Sequence, residues 1–137
     1  MRDIAYVAIG SNLGDREANL ALGRDGIAGL RGTRILSVTP PEETEPLGPP
    51  GQGRYLNQMV ALETTLVPHE LLAELLGIER RAGRVRGQRW GARTLDLDIV
   101  AFDRQTVNDA TLIVPHPELA HRDFWQRELD ELRGASR

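Results

Sequence analysis

Short apolar runs and longer periodic stretches alternate along this chain, and their order predicts its fold. Ile4 to Ile9 is a largely apolar run of strand length, closed by Gly10-Ser11-Asn12. Asp15 stands where a helix N-cap belongs, and the stretch from there to about Leu30 reads as helix, weakened by Gly23 and Gly26. Thr33 to Thr39 reads as a second strand. Pro40 to Gly53 reads as a loop, holding five of the eight prolines and the acids Glu42, Glu43 and Glu45. Leu56 to Thr64 alternates as a strand does. Pro68 then suits the first turn of a helix, whose apolar stripe is Leu71, Leu72, Leu75, Leu76 and Ile78 and whose end falls at Gly83. A second loop covers Arg84 to Ala92, followed by a strand from Leu95 to Phe102. A turn around Asn108 leads to Thr111–Val114, then Pro115-His116-Pro117, and Arg122 to Arg133 closes as helix.

The order β-α-β-β-α-β is that of the split βαβ, ferredoxin-like arrangement. The expected fold class is therefore α+β, with a mixed, mostly antiparallel sheet, helices packed on one face, and long loops at the two breaks. Composition narrows the picture. One domain over residues 1–137 is expected at this length. A net charge of −3, with neither a basic nor an acidic tail, argues against a general polyanion binder. No apolar run approaches the roughly 18 residues of a membrane span, and the N-terminus lacks the pattern of a signal peptide. Absence of cysteine excludes disulfides, thiolate metal sites and cysteine nucleophiles, and makes a reducing cytoplasm the default location. All 17 basic residues are arginine, so phosphate binding here falls to guanidinium groups, backbone amides or metal.

The chemistry concentrates in one stretch. Asp96 and Asp98 lie two apart on a strand and so share a face, roughly 6.6 Å apart along the backbone at about 3.3 Å per residue. Leu95, Leu97 and Ile99 take the other face, the core side. Just upstream, Arg80, Arg81, Arg84, Arg86, Arg89 and Arg93 follow one another with no acid between Arg80 and Asp96. A solvated surface is the plain alternative, but six cations without counter-charge repel one another unless an anion visits. Two carboxylates downstream of such a loop suit magnesium bridging to polyphosphate oxygens; salt bridges to neighbouring arginines are the competing role. Trp90 offers a flat surface for a base or a partly buried anchor for the loop. His116, between two prolines, contacts phosphate or caps a turn. His69 and His121 read as surface or structural residues.

These residues resemble the 6-hydroxymethyl-7,8-dihydropterin pyrophosphokinase family. Arg89 to Val100 matches its central motif. Further blocks follow in order: Ala8–Gly14, Thr44–Pro49, Tyr55-Leu56-Asn57, Ile78-Glu79, Gly83–Arg86, Val114–Pro117 and Arg122-Asp123-Phe124. The resemblance covers about residues 4 to 124. It implies transfer of pyrophosphate from ATP to the pterin hydroxymethyl oxygen, with AMP leaving. It implies two magnesium ions on Asp96 and Asp98, phosphate clamps at Arg84 and Arg93, and closure of Arg86, Arg89 and Trp90 over the nucleotide. Glu79, Ile99, His116 and Arg122 fall at its nucleotide positions. The pterin is expected between Tyr55 and Phe124, its polar edge read by Asn57 and by Gly10, Thr44, Pro46 and Leu47, with Asp96 beside its hydroxyl. The partners implied are these small molecules, not nucleic acid or membrane, and a monomer in the cytoplasm.

The chain departs from the family pattern in places. The loop between Arg86 and Trp90 is one residue shorter than in some members. Leu76, Thr111 and Ile113 stand where some relatives carry polar residues, and Glu45-Pro46 replaces Pro-Pro. Trp125-Gln126-Arg127-Glu128-Leu129 replaces a hydrophobic, proline-containing stretch, so a reshaped or truncated C-terminal segment is expected. Two other classes use similar residues. A metal-dependent nucleotidyltransferase or nuclease also pairs acids with arginines. An RNA-binding module on a ferredoxin-like sheet stacks bases on aromatic rings, although the acidic balance and few aromatics count against it.

Overall fold

A computed structural model describes residues 2–45, 53–83 and 95–135. Its main sheet contains β1 (Asp3–Ser11), β2 (Thr33–Val38), β3 (Glu42–Thr44), β4 (Tyr55–Thr64) and β5 (Asp96–Phe102). The order is β2-β4-β1-β5, and β3 extends the β2 edge by pairing with the start of β4. β4 is antiparallel to both β1 and β2, which therefore run parallel with β4 between them, the ferredoxin-like order. The sheet expected to be mixed is antiparallel at every described pairing. A separate hairpin joins β6 (Val107–Asn108) to β7 (Ile113–Val114).

Local chemistry sets the helix ends. Asp15 accepts a hydrogen bond from Ala18 N at 3.1 Å and opens α1 (Arg16–Ala28). Glu70 reaches back to Val67 N at 3.0 Å at the start of α2 (Pro68–Arg81). Gly83, with φ of +86°, ends the last turn in the left-handed region. The two glycines that weaken α1 have a packing reason. A Cβ at Gly23 would meet Ile9 Cγ2 at 3.1 Å, and one at Gly26 would meet Ile78 Cγ2 at 2.9 Å, so α1 lies close to the sheet and to α2. The cost of glycine in a helix, about 1 kcal/mol each, is offset by that close burial.

The first core joins Leu20 and Ile27 of α1 and Leu71, Leu75 and Ile78 of α2 to Val7, Ile9, Val60, Leu62, Leu97 and Ile99 of the sheet. Leu95, Leu97 and Ile99 do face this core, as alternation requires. The helices do not all share a face, however. The last helix, α3 (Asp123–Ala135), packs Trp125, Leu129 and Leu132 on the opposite face, against Tyr6, Met59, Ala61 and Val100. The departure at residues 125–129 is thus a second apolar stripe, and the segment is helical as its periodicity predicts. α3 covers that face only in part. Toward the end of β3 and the start of β5 the face is left open, and a cleft forms there.

Two elements differ from the sequence reading. Glu42–Thr44 lies in the stretch read as loop but forms β3, held by pairing Glu42 with Asn57 and Thr44 with Tyr55. Such a short polar strand owes its form to its partner, not to its own pattern. The turn placed around Asn108 is built by Asp109, whose Oδ1 accepts from Thr111 N and Leu112 N, both at 2.9 Å, and Asn108 is the last residue of β6.

Candidate active site

The cleft, of about 730 Å³, opens where β1 ends and β4 and β5 begin, beneath the 3-10 helix Pro117–His121 and the start of α3. Pairing aligns its floor in a row: Asp96 opposite Gly10, Gly10 opposite Asn57, and Asn57 opposite Glu42. Asp98 sits one step behind, opposite Ala8. Strand alternation thus carries both carboxylates to the cleft and keeps Leu97 and Ile99 in the core. The cleft takes in Gly10, Thr44, Tyr55, Asn57, Glu79, Asp96, Asp98, His116, Arg122 and Phe124. Residues separated by up to 114 positions in sequence come together, and all were candidates on sequence grounds. Ile99 stands apart: its side chain is in the core, 3% exposed, so a ligand contact there would have to use its backbone. Pro46, Leu47, Arg84, Arg86, Arg89, Trp90 and Arg93 lie outside the described residues.

At one end the lining suits a flat polar ring. Tyr55 and Phe124 supply aromatic surface. Asn57 donates through Nδ2 to Thr44 Oγ1 at 2.6 Å and to Glu42 O at 3.4 Å. That fixes the amide, with its Oδ1 over Gly10, where a Cβ would approach it to 3.3 Å and Tyr55 Cδ1 to 3.5 Å. Only glycine leaves this space open. Gly10→Val is expected to raise KM for a heterocyclic substrate roughly tenfold or more, by overpacking at the contact, with KM for the nucleotide nearly unchanged. Steady-state kinetics varying each substrate in turn checks this; equal rises in both would contradict it.

Around β5, polar contacts position the acids. Glu79, 3% exposed on α2, accepts from Leu97 N at 2.7 Å and ties the helix to the strand between the two aspartates. His116 Nδ1 accepts from Glu118 N at 3.0 Å, capping the 3-10 helix. A neutral ring bonded in this way carries its proton on Nε2, which lies 3.9 Å from Asp98 Oδ1. Burial, then the nearby Arg122 charge, holds the His116 pKa below its ordinary value, which favours that neutral form. The ring meets Trp125 edge-on at 5.0 Å, and Arg122 lies over the same Trp125 at 4.4 Å. Arg122 Nε is buried without a hydrogen-bond partner among the described residues. Of the two roles considered for His116, the described structure shows the turn cap, and it leaves the ring's Nε2 beside Asp98.

Several lining residues were not recognised as such from sequence. Leu72 borders the cleft, and so does Leu76, 41% exposed, which the resemblance already places where some relatives carry nucleotide-contacting polar residues. The stripe read as core is two stripes: Leu71, Leu75 and Ile78 inward, Leu72, Leu76 and Glu79 toward the cleft. The i, i+4, i+7 spacing of the second set was visible, but its exposure depended on the edge of β5. His121, read as a surface or structural residue, also lines the cleft, whereas His69 is exposed and bonded to Asp109 at 2.9 Å. Ile113, 44% exposed, is not among the lining residues.

Among the described residues, no group of three or more His, Cys, Asp or Glu side chains could hold a metal by itself. Two hard oxygen donors at Asp96 and Asp98 still suit magnesium, which takes one or two carboxylates and completes its shell with water and substrate phosphates. No described helix is long and apolar enough to cross a membrane.

Fold and site define an α+β protein of ferredoxin-like topology with a carboxylate-bearing small-molecule cleft. The family model for 7,8-dihydro-6-hydroxymethylpterin-pyrophosphokinase matches residues 6–134. The chain is 43% identical over 135 residues to the 2-amino-4-hydroxy-6-hydroxymethyldihydropteridine pyrophosphokinase of Bacillus subtilis (strain 168), covering 96% of this chain and 79% of that one. It is 44% identical over 119 residues to the enzyme of that name from Pseudomonas aeruginosa, covering 87% and 74%. For the Methylorubrum extorquens enzyme the figures are 40% over 120 residues, 88% and 76%. The chain belongs to the 7,8-dihydro-6-hydroxymethylpterin-pyrophosphokinase family.

Proposed function

We propose that this cleft is where the chain carries out its family's reaction. The activity is that of a 2-amino-4-hydroxy-6-hydroxymethyldihydropteridine pyrophosphokinase: pyrophosphate passes from ATP to the hydroxymethyl group of the dihydropterin, AMP is released, and the product serves folate biosynthesis. One observation carries the assignment of the site: Asp96, Gly10 and Asn57 stand in a single row across β5, β1 and β4. That row sets an acid beside the recess fitted to a flat, amide-edged ring.

In this reading the pterin lies against Tyr55 and Phe124, which select a flat ring by shape. Asn57 Oδ1 accepts from its polar edge, and a site that leaves such groups unpaired rejects analogues strongly. Asp96 sits next to the hydroxymethyl oxygen and helps orient it. The described walls carry six acids, Glu45, Glu79, Asp96, Asp98, Glu118 and Asp123, against the one arginine Arg122, so a triphosphate is best accepted together with cations. Asp96 and Asp98 would hold two magnesium ions, which would supply charge neutralisation and alignment of the phosphate oxygens. Arg84 and Arg93 would clamp the phosphates, Arg86, Arg89 and Trp90 would close over them, and Glu79, Ile99, His116 and Arg122 would surround the nucleotide. Metal and guanidinium together suffice where the protein's task is to position groups and stabilise charge. A single domain working as a monomer in the cytoplasm completes the reading.

The test is AMP release from ATP. Release should require both magnesium and hydroxymethyldihydropterin. Magnesium-dependent release with nucleic acid in place of the pterin would contradict the assignment.

A further inference from the structure

The buried stripe of α3 contains one residue that does not belong chemically. Trp125, Glu128, Leu129 and Leu132 follow helical spacing, and all four are buried, Glu128 to 3% exposure. Neither carboxyl oxygen of Glu128 has a hydrogen-bond partner among the described residues by distance and angle. Two charged groups act on it: Glu42 from β3 and Arg127 from its own helix, with the Thr39 hydroxyl after β2 also facing it. β4 and the 3-10 helix meet α3 through Met59, Ala61 and Leu119, which carry no charge. Arg127 grips the Glu42 carboxylate at 2.9 and 3.4 Å, so β3 is tied to α3 at this point. β3 in turn holds the ring end of the cleft, because the Glu42 carbonyl and Thr44 Oγ1 fix the Asn57 amide.

We infer that Glu128 is a positioning residue for the pterin end of the cleft: as a neutral acid seated against Glu42 it keeps β3, and through it Asn57 and Thr44, in the binding arrangement, and its ionisation loosens them. Burial, then the opposing Glu42, pushes the carboxyl up to about 8, so the neutral form prevails at neutral pH. Once ionised, Glu128 would set a second buried negative charge against Glu42, and Arg127 would have to serve both. β3 is three residues long and gives way more readily than the helix. This inference rests on the reading of Tyr55, Asn57 and Phe124 as the pterin site.

The experiment measures kcat and both KM values for wild type, Glu128→Gln and Glu42→Gln from about pH 6.5 to about pH 9.5, bracketing the value of about 8. Wild type should show a pterin KM rising about tenfold across that range. KM for ATP and kcat should follow one course in wild type and Glu128→Gln. Glu128→Gln, which keeps the shape and cannot ionise, should hold the low pterin KM throughout. Ionisation of the pterin itself affects both proteins alike and cancels. Glu42→Gln, which removes the opposing charge, should move the wild-type midpoint to lower pH. Coincident pterin profiles for wild type and Glu128→Gln would overturn the inference. If Glu128→Gln fails to fold, an unmoved midpoint in Glu42→Gln would do the same. Coincident profiles with normal turnover leave the site assignment standing; absence of pterin-dependent AMP release in wild type removes both.

Discussion

Asp98→Ala is expected to lose turnover by roughly two to three orders of magnitude, the usual scale for losing transition-state charge stabilisation, here by way of the magnesium that Asp98 would hold, while the fold survives. The Asp98 side chain is 40% exposed on the cleft side of β5. Its neighbours Leu97 and Ile99 make the core contacts, and the variant leaves them in place. The backbone pairing with Ala8 persists as well. Substitutions at exposed positions away from core and caps usually change stability by less than about 0.5 kcal/mol. AMP release and urea unfolding, measured on the same preparation, separate the two effects. A rate within about tenfold of wild type would remove Asp98 from the reaction, and a collapse of stability would make its role structural.

Glu128→Gln is expected to stabilise the protein, and increasingly so as pH rises. In the unfolded chain the carboxyl ionises near 4.5, while in the folded protein it holds its proton until about 8. Between those values the folded state binds more protons than the unfolded one, so wild-type stability falls as pH rises. Each unit costs about 1.4 kcal/mol, which over the window amounts to a total on the order of 5 kcal/mol, constant above about pH 8. Glutamine does not titrate and escapes this loss. Glu63, Glu70 and Asp109, whose arginine and backbone partners lower their pKa values, act in the opposite direction, but equally in both proteins. Denaturant unfolding near pH 5 and near pH 9 should therefore show the gap between Gln and wild type widening by several kcal/mol. Parallel stability curves would show that Glu128 is not held protonated by the fold.

The strands and helices that bury an apolar face were legible in the sequence because their period declares them. β5 is the clearest case: the alternation that buries Leu97 and Ile99 also puts Asp96 and Asp98 on one face, and the cleft lies on that side. β3 was not legible, since Glu42–Thr44 has no pattern of its own and becomes a strand only through β4. The placement of α3 across the second face was hidden for a related reason. Its stripe predicts burial but not against which face, and an acid at Glu128 reads as solvent until Glu42 and Arg127 are brought opposite. The gathering of Tyr55, Asn57 and Phe124 was implied by resemblance alone, because nothing in their spacing links them. Their common place in one cleft follows from the β4–β1–β5 register and the docking of α3.

On the proposed assignment, the Asp96–Asp98 pair gathers a metal–triphosphate beside a pterin held at Tyr55, Asn57 and Phe124. A crystal structure with hydroxymethyldihydropterin, magnesium and a non-hydrolysable ATP analogue tests it most directly. Metal density is expected on both carboxylates, with the pterin ring against the two aromatic side chains and its hydroxymethyl group directed at the β-phosphate. Pterin or triphosphate bound away from this cleft, or metal that leaves both aspartates untouched, would contradict it.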